Sequence, residues 1–338
     1  MRLNRILQGD CLEKMAGIPN DTFDMSFADP PFNLDKGYDS YKDSKKEDKY
    51  FDWCADWMGE MVRITKPSGS IFLHNIPKWL VQYTCHLADL ATFKNWISWD
   101  APTSPMGNTL QPAHYGILYY VKDESQCKFY EMRYPHKRCR DKKDCNLLTK
   151  DYGGKKHTIH PFGPLVSDVW TDIHRCKHDR YKDKHPCQLP VHLMERLVLF
   201  CTDEGDSVFD PFAGTGTTLI AARRLGRKYL GIELSEQYAK IAADKLAFEK
   251  TPSKLNDIWV SCYLNRIHTA RESDISEGRP KQFKEGWKEL FTNWPDTDDK
   301  RRALNTSDLA FTKEVKNKIS KLCRPKKKVQ KDEQKKEG

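Results

Sequence analysis

Two short runs in this chain hold residue types suited to chemistry at a nitrogen atom and to close backbone approach to a ligand. Asp29-Pro30-Pro31-Phe32 follows Phe23-Asp24-Met25-Ser26-Phe27-Ala28, which reads as a strand. The Asp29 carboxylate and the Pro30 carbonyl make a pair of acceptors, and two successive prolines fix that carbonyl's direction. Such a pair can take both hydrogens of an amino group, turn its lone pair toward an electrophile and stabilise the positive charge that develops. Phe32 offers a flat apolar face to a ring. Standing alone, Asp-Pro-Pro is also an ordinary strand-end turn.

The second run is Asp210-Pro211-Phe212-Ala213-Gly214-Thr215-Gly216-Thr217-Thr218, between a strand over Ser207 to Asp210 and a helix over Thr217 to Leu225. Gly214 and Gly216 can take positive φ and present backbone to a ligand. A phosphate loop would need lysine after the second glycine, where Thr217 stands, and a dinucleotide fingerprint would need a third glycine. The bland reading is a tight turn in any α/β protein. Glu233 weighs against it, because it ends the next strand, where an acid can accept both hydroxyls of a ribose.

Together the two runs resemble the motifs of the amino-methyltransferases that move a methyl group from S-adenosyl-L-methionine to an exocyclic nitrogen of a DNA base. The catalytic tetrapeptide precedes the cofactor loop and a variable segment separates them, an order similar to the β-class circular permutation of that family, over residues 3–250. The resemblance implies that Asp29, Pro30, Pro31 and Phe32 are catalytic and that Asp210, Pro211, Phe212, Ala213, Gly214, Thr215, Gly216, Thr217 and Glu233 hold the cofactor. It implies that Asp10 bonds the cofactor's adenine amino group beside a backbone contact from Cys11. His185-Pro186-Cys187-Gln188-Leu189-Pro190 resembles the segment over the methionine end, with His185 and Gln188 as contacts; Cys187 and Leu189 depart from the family's usual Thr-Gln-Lys-Pro. Asp29 points to adenine N6, since cytosine-N4 members usually show Ser-Pro-Pro-Tyr. Base flipping follows, because a stacked N6 cannot reach a buried cofactor. Cytosine N4 is the alternative activity. A catalytically silent DNA-binding subunit is the alternative outside catalysis, against which stand the intact Asp29, Phe32, Gly214, Gly216 and Glu233. RNA and protein methyltransferases with Asn-Pro-Pro-Tyr usually place the cofactor loop first.

These motifs need a sheet to position them. Strands are expected over Ile6 to Asp10, Phe23 to Ala28, Ser70 to His74, Trp96 to Trp99, Tyr115 to Val121, Ser207 to Asp210 and Tyr229 to Glu233. Helices are expected from Cys11, over Phe51 to Val62 with Lys66-Pro67-Ser68-Gly69 as the stop, and over Trp79 to Ala91, Leu193 to Cys201 and Glu236 to Phe248. Trp53, Trp57, Trp79 and Trp96 read as core. The fold class is α/β, and the resemblance makes it a circularly permuted Rossmann-like fold with a mainly parallel central sheet.

The domain expectation is a catalytic unit over 1–124 and 181–251, an insertion over 125–180, a small helical appendage over 252–323 and a disordered basic tail over 324–338. The insertion stands where the β-class places target recognition, so Lys155 and Lys156 are candidate phosphate contacts and Arg138 and Arg140 candidate base readers. Its Cys127, Cys139, Cys145 and Cys176 contain no Cys-x2-Cys pair, so no metal is expected. The net charge of +9 suits a polyanionic partner, here double-stranded DNA. The family setting adds a cognate restriction endonuclease and a homodimer as partners to test. No apolar run approaches the roughly 18 residues that span a bilayer, and Met1-Arg2-Leu3-Asn4-Arg5 leads into a strand. The eleven cysteines are dispersed in a chain of 338 residues and read as reduced thiols. A cytoplasmic, nucleoid-associated protein of a prokaryote or phage is the expectation.

Overall fold

The computed structural model describes residues 1–37, 41, 43–101, 110, 112–130, 166–171, 173, 175 and 188–248. In chain order these form β1 (Arg5–Gln8), α1 (Cys11–Ala16), β2 (Phe23–Ala28), α2 (Glu47–Ile64), β3 (Thr65–Asn75), α3 (Pro77–Leu87), β4 (Thr92–Asp100), β5 (His114–Val121), β6 (Val169–Trp170), α4 (Val191–Cys201), β7 (Ser207–Asp210), α5 (Thr217–Arg224), β8 (Lys228–Glu233) and α6 (Glu236–Phe248). The strands make one sheet in the order β1-β8-β7-β2-β3-β5-β4-β6. It is parallel except where β5 runs against β3 and β4.

Strands β2 and β7, far apart in sequence, are neighbours with Met25 opposite Val208 and Ser26 opposite Phe209. From β7 the sheet grows one way through α5 to β8, and from β2 it grows the other way through α2 to β3. The pair is therefore a topological switch point, where a crevice opens beyond the carboxyl ends of the strands. Every residue of β2 is buried, although Phe23, Met25 and Phe27 alternate with polar Asp24 and Ser26; both polar side chains find partners inside the fold, Ser26 on the Thr65 hydroxyl at 2.7 Å. Buried Asp24 accepts from Lys66 Nζ on β3 at 2.9 and 2.8 Å and from the Ser207 backbone and hydroxyl on β7, both at 2.9 Å. Burial works to raise its pKa, and these donors outweigh burial and hold it below the ordinary value.

The apolar stripe of α2 packs Cys54, Trp57, Met58 and Met61 against the sheet, with Trp79, Leu80 and Tyr83 of α3 in the same cluster. Lys66-Pro67-Ser68-Gly69 does not end the helix as expected. Helix α2 stops at Ile64, Thr65 pairs with Phe23 and Ser70 with Met25, so the four residues bulge out of a strand already begun. Pro67 has no N–H for a ladder. Helix α3 ends at Leu87 instead of Ala91, because the Leu90 and Ala91 amides both turn onto the Leu87 carbonyl. Strand β6, two residues beside Ser98 and Trp99 of β4, is too short to leave a periodic signal.

The first residues of the expected insertion run along α4. Tyr130 N donates to Phe200 O at 2.6 Å, the Phe129 and Phe200 rings stack at 5.7 Å, and Lys128 bridges Asp203 and Asp206. His185, Arg138, Arg140, Lys155, Lys156 and all of 252–338 lie outside the described residues. Among the described residues no helix is long and apolar enough to cross a membrane, and Cys11, Cys54, Cys85, Cys127 and Cys201 are free thiols.

Candidate active site

Four acids stand where strands give way to loops on one edge of the sheet: Asp10 after β1, Asp29 after β2, Asp210 at the end of β7 and Glu233 at the end of β8. All four line one cavity of about 380 Å³, within the usual size of a small-molecule site. Pro30, Pro31, Phe32, Cys11, Gln188, Pro211, Phe212, Ala213, Gly214, Thr215 and Thr217 line it too. The two halves that are separated in sequence thus meet in space. Gly216 faces elsewhere: at φ 87° it opens α5, and a Cβ there would come within 2.9 Å of Ala242 Cβ on α6. Its glycine is a packing and backbone requirement.

On the β7 side, the turn is clamped by Glu233. Gly214, at φ 51°, donates its N–H to Glu233 Oε2 at 2.8 Å, and Ser235 N donates to Oε1 at 2.9 Å. Each carboxylate oxygen keeps the capacity to accept a further hydrogen bond. Burial raises the Glu233 pKa, with these amides opposing. Asp210 is 2% exposed and accepts from Phe212 N at 2.9 Å. Burial pushes its carboxyl up to about 7, the Thr218 and Phe212 bonds pull back, and the charges of Asp29 and Glu233 push the same way as burial. Asp10 Oδ1 caps α1 through Leu12 N at 2.9 Å and Glu13 N at 3.2 Å. The Cys11 thiol is pushed up to about 12, first by burial and then by the Asp10 charge, and stays neutral.

Across the cavity, Asp29 Oδ1 lies 2.7 Å from His74 Nδ1. Sequence reasoning missed this histidine, yet the pairing of Ala28 with Leu73 carries Asp29 and His74 off adjacent parallel strands side by side. Phe32 is 5% exposed, with Tyr115 and His74 at ring distances of 5.8 and 5.6 Å and Lys36 Nζ 5.3 Å above its ring. The loop that follows is built on buried Asp43, which accepts from the backbone of Asn33 (2.7 Å), Leu34 (3.0 Å) and Lys36 (3.2 Å). These bonds hold Asn33 and Asp35 at positive φ, 55° and 54°, which non-glycine residues adopt at a cost. Trp53, expected in the core, packs against its edge and also walls the cavity with Tyr41 and with Lys45, whose Nζ sits 4.8 Å from its ring. Helical spacing marks a face of α2 but not the end that overhangs a crevice.

The arrangement joins the Gly214 turn, the Glu233 carboxylate and the Asp29-Pro30 run in one crevice. The DNA methylase family profile matches residues 23–244, spanning both halves of this site. The chain belongs to the DNA methylase family. One relative in it, the type II methyltransferase M.BamHI of Bacillus amyloliquefaciens, is 40% identical over 255 residues, covering 75% of this chain; the chain spans only 59% of that protein. The DNA adenine methyltransferase YhdJ of Escherichia coli K12 is 32% identical over 250 residues, covering 71% of this chain and 82% of its own length. Among solved structures, the PvuII cytosine-N4-specific DNA methyltransferase superposes with a TM-score of 0.53 at 16% identity, covering 78% of this chain and 97% of that one, a likeness of fold.

Proposed function

We propose that this DNA methylase transfers a methyl group from S-adenosyl-L-methionine to N6 of an adenine flipped out of double-stranded DNA. The observation that carries the reading is the convergence of Asp29 and Pro30 on the same cavity as the Gly214 turn, Asp210 and Glu233. Four acids, two of them with pKa values raised by burial, make a cavity that favours a cationic ligand, and a sulfonium supplies both that charge and the electrophilic methyl group. Glu233 takes the ribose hydroxyls, Asp10 and Cys11 the adenine end, and Gln188 with His185 the methionine end. Asp29 and the Pro30 carbonyl hold the two amino hydrogens of the target base, keep the nitrogen lone pair aimed at the methyl group and stabilise the charge that grows on nitrogen. Phe32 stacks on the flipped ring once Lys36 moves aside.

Adenine is favoured by Asp29 in the tetrapeptide and by a relative named for adenine. The insertion over 125–180 is the recognition element, with Arg138, Arg140, Lys155 and Lys156 on DNA. Relatives named as type II enzymes support a restriction-modification setting, beside an endonuclease or as an orphan, in a prokaryotic cytoplasm. The test is to incubate the protein with methyl-labelled cofactor and DNA from a methylase-deficient host, digest to nucleosides and identify the product by mass spectrometry. N6-methyldeoxyadenosine is expected. N4-methyldeoxycytidine would move the assignment to cytosine, and unlabelled DNA would overturn the reading.

A further inference from the structure

The Asp-Pro-Pro-Phe turn is gripped from behind by three ring donors from three elements. His74 near the end of β3 meets Asp29 Oδ1 through Nδ1 at 2.7 Å. Tyr50, in the first turn of α2, donates its hydroxyl to the Pro31 carbonyl at 2.5 Å. Trp79, near the start of α3, donates Nε1–H to the Phe32 carbonyl at 2.8 Å. The Tyr50 and Trp79 rings lie 4.5 Å apart, so the two grips share one wall. None of the three donors takes the Pro30 carbonyl, the acceptor that methyl transfer needs.

A directed chain of hydroxyls backs the central grip. Because the Tyr50 hydrogen is committed to Pro31, the Tyr50 oxygen receives from behind, from Tyr83 OH at 3.2 Å and Asn75 Nδ2 at 3.4 Å. Asn75 Nδ2 also donates to Tyr83 OH at 3.0 Å, while its Oδ1 is fixed by Ile76 N at 2.8 Å. Burial pushes both phenols far above their ordinary pKa, so they stay protonated donors. Bonds in such a series strengthen one another. Phenylalanine would fill these positions apolarly without the cost of burying hydroxyls. The same holds for His74, 2% exposed, whose Nε2 is buried without a hydrogen-bond partner among the described residues. The imidazole sits among apolar rings, 5.6 Å from Phe32, 5.3 Å from Tyr115 and 5.8 Å from Trp99. Stability alone does not explain a polar ring kept there.

We propose that His74, Tyr50 and Trp79 are positioning residues for methyl transfer, fixing the Asp29 carboxylate and the Pro30 carbonyl at the angle at which the amino group of the target base must meet them. The proposal rests on the reading of Asp29 as the amino-group acceptor.

The test measures single-turnover methyl transfer to DNA from a methylase-deficient host, beside cofactor affinity by calorimetry. Tyr50→Phe keeps the ring and removes the donor, and it should slow transfer about tenfold to a hundredfold, as expected when reacting groups are misplaced by a fraction of an ångström. Its affinity for S-adenosyl-L-methionine should stay within about twofold of the wild type. His74→Leu should slow transfer similarly, and His74→Asn, whose amide can donate from the Nδ1 position, should recover a large part of the rate. Trp79→Phe should fall with Tyr50→Phe. Wild-type transfer rates in a folded Tyr50→Phe protein would overturn the proposal, as would a cofactor affinity that falls in step with the rate. Should Tyr50→Phe fail to fold, the two His74 variants decide, and equal rates for asparagine and leucine would overturn it. A wild-type protein that leaves DNA unmodified would fail the reading of the activity itself, a separate outcome.

Discussion

Gly214 gives its backbone N–H to Glu233 Oε2 at 2.8 Å, so the glycine turn and the Glu233 carboxylate are one mechanical unit. A branched side chain at Gly214, where φ is 51°, strains the turn and pulls the amide from the carboxylate. Gly214→Val should abolish binding of S-adenosyl-L-methionine in calorimetry while leaving the sheet folded by circular dichroism. Unchanged affinity would remove this turn from the cofactor site. Glu233→Gln, which keeps one acceptor oxygen, should bind measurably more weakly and less drastically than Gly214→Val.

Asp210 predicts a pH dependence with a defined sign. Its carboxyl is raised from 3.8 to about 7, so keeping it ionised in the ligand-free protein costs stability. That cost is absent below pH 3.8 and complete above about 7, so on this account stability falls as pH rises through the window. A bound sulfonium favours the ionised form. Cofactor binding should therefore release protons near pH 7 and weaken as pH drops, seen as a binding enthalpy that varies with the buffer's ionisation enthalpy. Asp210→Asn should lose both the release and the pH slope. A binding enthalpy independent of buffer would contradict the assignment.

On the proposed roles, Asp29→Ala removes one acceptor from the target amino group and leaves the Gly214 turn, Asp210 and Glu233 in place. Methyl transfer should drop by about three orders of magnitude, the scale on which a preorganised electrostatic partner acts. Cofactor affinity and thermal stability should remain near wild type. Turnover close to normal in the purified variant would rule out the acceptor mechanism.

What the sequence revealed and what it hid follow one physical division. Residues that act through backbone geometry leave a local signature: prolines at 30 and 31 and glycines at 214 and 216 each restrict or free φ, and most of that set lines the cavity. Burial of β2 on both faces left no such mark, because Asp24 and Ser26 alternate with its apolar residues. Residues that act across the fold leave none. His74 reaches Asp29 only because β3 is in register with β2, and Tyr50 and Trp79 reach the tetrapeptide from helices whose spacing reports packing alone. Asp43 organises its loop by accepting three amides, yet within a charged stretch it reads as one more solvated acid. The bulge at Lys66 to Gly69 was hidden because Pro and Gly signal a break in either element.

The last prediction concerns the expected insertion over 125–180, proposed above to contact DNA. If Lys155 and Lys156 bind phosphates, replacing both with glutamine should weaken binding to every duplex and reduce the slope of log affinity against log salt by about 0.9 for each phosphate no longer neutralised. Base readers behave differently. Replacing Arg138 or Arg140, where either faces a guanine edge, should cost about 1–3 kcal/mol at the proper site with little change elsewhere, relaxing sequence choice without altering the salt slope much. Fluorescence anisotropy titrations at several salt concentrations, with DNA methylation mapped by sequencing, separate the two effects. Cofactor binding should survive all four substitutions, because Asp210 and Glu233 end β7 and β8 and Gly214 lies in the turn from β7 into α5. Neutralising all four without effect on affinity, site choice or slope would shift recognition away from the insertion to residues 252–323.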